Sequence, residues 1–266
     1  IVHAHLEFAG LVLARALAVP TVVTFHGRID QPWADGLLAD PPSGLVAISA
    51  AQAYAQPAVP WSIVHNGLAL GGAPFVERPG DGLCYVGRFM PEKGLVEAIE
   101  IARRSGRPLR VAAKEPSTPA EQAYYDESFG PTARSADVEY LGELAGPARD
   151  ELIASSYATL MPGAWPEPFG LVAIESLACG TPVVARRTGA LPEIVRDGID
   201  GVVADDPAEM ARRLPEVADV DRAAIRASVL SRFSAERMVD GYEAVYARLL
   251  GLEAPVGHES REMAPR

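Results

Sequence analysis

Short apolar runs alternate with stretches of helical periodicity over most of the chain, the pattern of parallel α/β layers. In the first part, Thr21–Phe25 and Leu45–Ile48 predict strands, with Ser62–Val64 as a third and a helix between Phe8 and Leu17. Ser49 is a good N-cap and opens a helix after the second strand. From Asn66 to Gly82 turn residues gather (Gly67, Gly71, Gly72, Pro74, Pro79, Gly80), marking a linker. Six further strands are predicted beyond it: Leu83–Gly87, Leu109–Ala113, Val138–Leu141, Thr159–Met161, Pro182–Ala185 and Gly201–Ala204. Helices are predicted near Gly94–Arg104, Pro119–Phe129, Pro147–Ser155, Gly170–Cys179 and Leu191–Arg196. Two or three more close the chain, the last near Ala235–Leu250.

Six strands joined by five crossovers make one complete doubly wound unit, whose ligands bind at the carboxyl ends of its strands. The expected domains are therefore 1–72, the back half of one Rossmann-like unit, and 73–250, a complete one with its closing helices. The remaining 251–266 reads as a polar, disordered tail. The chain enters at Ile1 in what reads as a buried strand end, so it is expected to continue upstream.

Composition narrows the function. Of 266 residues 48% are hydrophobic and 22% charged, enough apolar content for a real core. The formal net charge of −11 argues against a nucleic-acid partner, since phosphate backbones want clustered Lys and Arg. Pro41 to Val76 carries no charged residue, yet Pro57, Pro60, Gln52, Gln56 and Asn66 interrupt it too often for a spanning helix. Peripheral attachment to a membrane surface is compatible with this reading. Cys84 and Cys179 lie in apolar runs without metal-ligand spacing and fit a reduced, cytoplasmic setting.

Three segments carry chemistry. Glu167 to Glu175, E-P-F-G-L-V-A-I-E, opens a helix near Gly170. Amides of Phe169, Gly170 and Leu171 at such a start form an anion site that glycine lets a ligand approach closely. Taken singly, each reads equally well as a site residue or as an ordinary one, Glu167 as an acid near a helix start and Glu175 as a solvated helix residue. The second segment, Gly87 to Gly94, places Arg88 and Lys93 on the loop after a strand end. The third is V-H-A-H-L-E from Val2, with Thr24-Phe25-His26-Gly27 behind it. His3 reads best as a histidine satisfied by packing or exposed on a loop.

Together with A-C-G-T-P-V-V-A from Ala178, these motifs resemble the signature of the family-4 retaining glycosyltransferases, from Val2 to about Leu250. The resemblance implies the GT-B fold: α/β, two Rossmann-like domains facing a cleft, here with the N-terminal one incomplete. It implies transfer of a sugar from a nucleoside diphosphate to an acceptor with retention. By the same resemblance Glu167 faces the donor sugar and Glu175 holds the ribose hydroxyls. Arg88 and Lys93, in G-R-x-x-x-x-K-G after Gly87, neutralise the departing diphosphate, and His5 approaches the donor sugar from the acceptor-side domain. Leu141-Gly142-Glu143-Leu144 packs the base, with Leu144 in contact, and Gly189 to Glu193 lies beside the cleft.

Fixed Arg and Lys can stabilise a leaving diphosphate as a metal would. No D-x-D-like metal loop stands in a suitable place, so neither metal nor other cofactor is expected. Ala112-Ala113-Lys114 departs from the Gly-x-Gly turn of many relatives. A nucleotide-sugar epimerase of the same fold would want acid/base carboxylates on the N-terminal side, where none suits. From a different class, the alternative is a nucleotide-sugar-binding module without turnover.

Overall fold

Among residues 1–134 and 136–253, which the computed structural model describes, two sheets form, both wholly parallel. The first contains β1 (Val2–Ala4), β2 (Thr21–Phe25), β3 (Leu45–Ala47) and β4 (Ser62–Ile63), in that order. The second contains β5 (Leu83–Arg88), β6 (Leu109–Lys114), β7 (Val138–Tyr140), β8 (Ala158–Met161), β9 (Val183–Arg186) and β10 (Gly201–Ala204). Among the described residues each sheet heads its own compact unit: Ile1–Ala69 with 231–253, and Leu70–Leu230.

This division sets the first boundary at 69/70 where 72/73 was expected, and adds a second at 230/231. The helix Ala235–Leu250, expected to close the second domain, belongs to the first unit. The reason lies in β2, where adjacent residues point to opposite faces and all five are buried. Val23 and Phe25 face the side covered by Leu11 of the helix Phe8–Ala16. Val22 and Val46 face the other side, where Tyr242 and Val245 of the last helix cover them. A helix Pro32–Leu38, with proline in its first turn, also stands where no element was predicted. The expected tail lies, from residue 254 on, outside the described residues.

The second unit has the strand order β10-β9-β8-β5-β6-β7, a doubly wound sheet whose order reverses between β5 and β8. Its predicted helices are present, but the one from Pro119 is α-helical only to Tyr124 and then widens over Tyr125–Phe129. That wider turn aims Tyr125 and Phe129 at Phe89, with ring centroids 5.0 Å away in both cases. No helix among the described residues is long and apolar enough to cross a membrane.

The helix Arg222–Arg232 ties the linker to this unit through carbonyls instead of carboxylates. Arg222 donates to Val76 O (3.0 Å), Ala154 O (2.9 Å) and Thr181 Oγ1 (2.7 Å), while Arg226 donates to the carbonyls of Ala73 and Ala178. Burial lowers the Arg222 pKa from its ordinary value, so this charge depends on these acceptors. Arg222→Ala should cost on the order of 3 kcal/mol of unfolding free energy, the usual upper range for charge-assisted hydrogen bonds. Denaturant unfolding measures it.

Candidate active site

The order reversal puts the loops after β5 and β8 side by side at the carboxyl edge of the sheet. Four of the predicted residues gather on these two loops and the helices they open: Arg88, Lys93, Glu167 and Glu175.

The β5 loop is held by its apolar members. Phe89, 1% exposed, sits among Tyr125, Phe129 and Tyr140, so Arg88 beside it is turned out and exposed. The Tyr85 hydroxyl donates to Lys93 O (3.3 Å) and lies 3.4 Å from Arg88 O, bracing both ends of the loop. Burial raises that phenol far above its ordinary range, so it stays a donor. Gly87 is part of the same brace, because a Cβ there would stand 2.7 Å from the Tyr85 hydroxyl.

Gly94 closes the loop with φ 75° and starts the helix Leu95–Ser105. A side chain at Gly94 would stand 2.6 Å from Gly163 N, and one at Gly163 would stand 2.6 Å from Glu92 O. The β5 and β8 loops therefore touch backbone to backbone. Across this contact the Lys93 ammonium pairs with the Glu167 carboxylate, both side chains about one-fifth exposed, and lies 5.7 Å from the Trp165 ring centroid.

Glu167 is also held from behind, since Ala190 N donates to its carbonyl at 2.9 Å and Gly189 lies against its backbone. That gives the Gly189–Glu193 segment a concrete part: it supports the Glu167 loop. Gly170, φ 102°, begins the helix Leu171–Ala178, with Leu171 exposed and Phe169 buried. The first amides of such a helix lack intrahelical acceptors and suit an anion. Leu144 packs partly buried beside Cys84, Ala112 and Leu152.

Glu175 projects from that helix to a residue absent from the predicted site. Its Oε1 lies 3.1 Å from Nη2 of Arg149. Burial raises the Glu175 pKa, Arg149 opposes this, and Asp150 adds to it.

His5 belongs to the first unit, directly after β1. Its Nδ1 lies 2.8 Å from His26 Nε2, and the two rings stack with centroids 5.2 Å apart. The loop carrying His26 is fixed by buried Gln52, which donates to Phe25 O and Gly27 O. Glu7 is the one non-glycine residue with positive φ (48°) among those described. Its carboxylate accepts from Gly27 N at 2.7 Å, a contact that helps hold the strained backbone.

Of the two readings of His3, packing holds: its nitrogens meet the Tyr246 and Thr24 hydroxyls, each at 2.7 Å. Burial, then His5 and His26, lower its pKa to about 4, and burial and then His5 also lower that of His26. Such a histidine is neutral when folded but protonates in the unfolded chain below its ordinary value, so the unfolded state binds more protons and stability falls as pH drops through that window. Thermal unfolding at about pH 7 and 5 should show a clear loss, smaller in His3→Gln.

A doubly wound unit with cationic and acidic loops at its switch point, in one chain with a second parallel α/β unit, has the makeup of a GT-B glycosyltransferase fold. The chain belongs to the glycosyl transferases group 1 family, whose pattern matches residues 80–219. A D-inositol 3-phosphate glycosyltransferase of Thermomonospora curvata is 34% identical over 209 residues, 72% of this chain and 46% of that relative, so the match spans about half of the relative's length. AviGT4, a glycosyltransferase involved in avilamycin A biosynthesis, is 26% identical with a TM-score of 0.72, covering 94% of this chain and 73% of the other. Anabaena Alr3699/HepE, solved in complex with UDP, shares the fold at 20% identity and a TM-score of 0.77, covering 92% of this chain and 76% of the other.

Proposed function

We propose that the chain moves a sugar from a nucleoside diphosphate donor to an acceptor, retaining the anomeric configuration and using no metal, as a family-4 glycosyltransferase. The observation that carries this reading is the Lys93–Glu167 pair beside exposed Arg88, at the switch point of the doubly wound sheet. The two cations bind the diphosphate and stabilise the charge that develops as it leaves. Lys93 exchanges Glu167 for the more highly charged phosphates, which releases the Glu167 carboxylate towards the donor sugar. The amides of Phe169, Gly170 and Leu171 complete the anion site, with Gly87 giving the backbone room. Glu175 accepts from the ribose hydroxyls, as a carboxylate can from two donors at once, and Leu144 packs against the base.

Glu167, once released from Lys93, faces the donor sugar without forming a bond to it. Retention then follows a front-face route through an oxocarbenium-like state, with the leaving phosphate assisting the acceptor. His5, oriented through His26, keeps the donor-sugar role that the family resemblance gives it. A reducing, cytoplasmic setting suits the two buried, unpaired thiols of Cys84 and Cys179.

UDP is the first probe, being the nucleotide solved in Anabaena Alr3699/HepE. Calorimetry should show UDP binding unaffected by EDTA, and Glu175→Ala should weaken it by about 1–3 kcal/mol. Binding that requires a divalent ion overturns the metal-free part. Unchanged affinity in Glu175→Ala removes the ribose role.

A further inference from the structure

The deepest carboxylate at the site depends on a residue with no assigned part. Glu175 is 16% exposed in its side chain and is the only charged residue of the helix Leu171–Ala178. The charged groups facing it are Arg149 and Asp150, both from the helix Gly146–Ala154 packed alongside. Arg149 Nη2 lies 3.1 Å from Glu175 Oε1 and donates to Asp150 Oδ1 at 3.0 Å, while its Nε reaches the same Asp150 oxygen at 3.2 Å. The guanidinium is thus fixed from its own helix and presents one edge to the neighbouring carboxylate.

A largely buried carboxylate has lost much of its hydration, and without a cation nearby it holds a proton more readily. A protonated Glu175 would keep an acceptor oxygen but lose the charge that strengthens hydrogen bonds from hydroxyls. Asp150 alone would push in the same direction, because a second negative charge disfavours ionisation. Arg149 is the counterweight to both.

We propose that Arg149 is a positioning residue of the nucleotide site: it keeps the Glu175 carboxylate ionised and aimed at the ribose hydroxyls. This rests on the ribose role given to Glu175 above. Arg149 acts through Glu175 and needs no contact of its own with the nucleotide. Methionine at 149 keeps the stem and removes the charge, whereas lysine keeps the charge and loses the planar fork.

The test measures UDP affinity of the full chain by calorimetry from neutral to acid pH. UDP itself takes up a proton in this range, so Glu175→Gln supplies the baseline. In the unmodified protein, affinity should fall on the acid side more steeply than in Glu175→Gln, as Glu175 protonates. Arg149→Met should bind about tenfold more weakly at neutral pH, a change of about 1.4 kcal/mol, and its acid-side loss should begin at higher pH. Arg149→Lys should restore the midpoint. Arg149→Met placed on Glu175→Gln should add nothing further.

An equal loss at every pH in Arg149→Met, or a loss that adds fully to that of Glu175→Gln, overturns the proposal and makes Arg149 a direct nucleotide contact or a helix tether. Glu175→Gln binding UDP like the unmodified protein is a different failure: it removes the ribose role itself. Lysine at 149 keeps the test decisive if the methionine variant folds poorly, since a lysine variant that binds weakly with an unshifted midpoint also overturns the proposal.

Discussion

Lys93→Ala and Arg88→Ala should each lower turnover by roughly a hundredfold or more, the loss seen when a fixed charge stabiliser is removed from an enzyme site. The two should differ in substrate binding. Arg88 is exposed, so on the role proposed for it its removal subtracts only interactions with the diphosphate. Lys93 is paired with Glu167, so its removal also leaves that carboxylate without its partner beside the phosphates. Lys93→Ala is expected to raise KM for the donor more than Arg88→Ala does, and Lys93→Ala combined with Glu167→Gln should recover part of that increase. Steady-state kinetics with a labelled donor separates the two effects. Turnover within a few-fold of normal in both variants would place the diphosphate elsewhere.

Gly94→Ala should cripple the site without removing a single functional group. The position needs φ 75°, unfavourable for alanine, and its Cβ would meet Gly163 N at 2.6 Å and Gly163 Cα at 2.8 Å. Those are main-chain atoms, and no rotamer change can relieve them. The cost should be about 2–4 kcal/mol in stability, from strain and overpacking together. If the protein stays folded, the β5 and β8 loops must part, which separates Lys93 from Glu167 and weakens UDP binding. Gly106→Ala is the control: φ is similar at 66°, but nothing lies within 4 Å of the added carbon. It should cost only the backbone term and leave UDP affinity alone. Thermal unfolding with and without UDP distinguishes the pair.

What the sequence made legible was whatever a local pattern encodes. Strands β2 and β10 were predicted with their observed limits, because Thr21–Phe25 and Gly201–Ala204 are apolar runs bounded by turn residues. Ser49 capping Gln52 N could likewise be read from spacing alone. Arg88, Lys93 and Glu167 stood out because short motifs fix them near strand ends, and Glu175 because it follows Glu167 by eight residues in the helix that loop opens. Arg149 did not, since it lies in P-A-R-D-E, where charged residues on a helix surface are ordinary, and its partner is on another helix. The destination of the helix Ala235–Leu250 was hidden for a similar reason. Amphipathic spacing announces an apolar face but not the sheet that will cover it. His26 was visible as part of T-F-H, whereas its bond to His5 depends on the parallel pairing of β1 with β2.

During synthesis, the position of that last helix imposes an order on the chain as it leaves the ribosome. Residues 1–69 emerge before the second unit, yet Val22 and Val46 keep an uncovered apolar face until Tyr242 and Val245 are made. The second unit, complete by Leu230, is available to fold before then. At typical elongation rates the wait is roughly ten to thirty seconds, much longer than the hydrophobic collapse of a small domain. The early segment is thus exposed to premature self-association while the later one matures, so a nascent-chain chaperone should bind residues 1–69 longer than it binds the part that follows. Slower elongation at codons between 70 and 230 would lower the yield of folded protein by prolonging that interval.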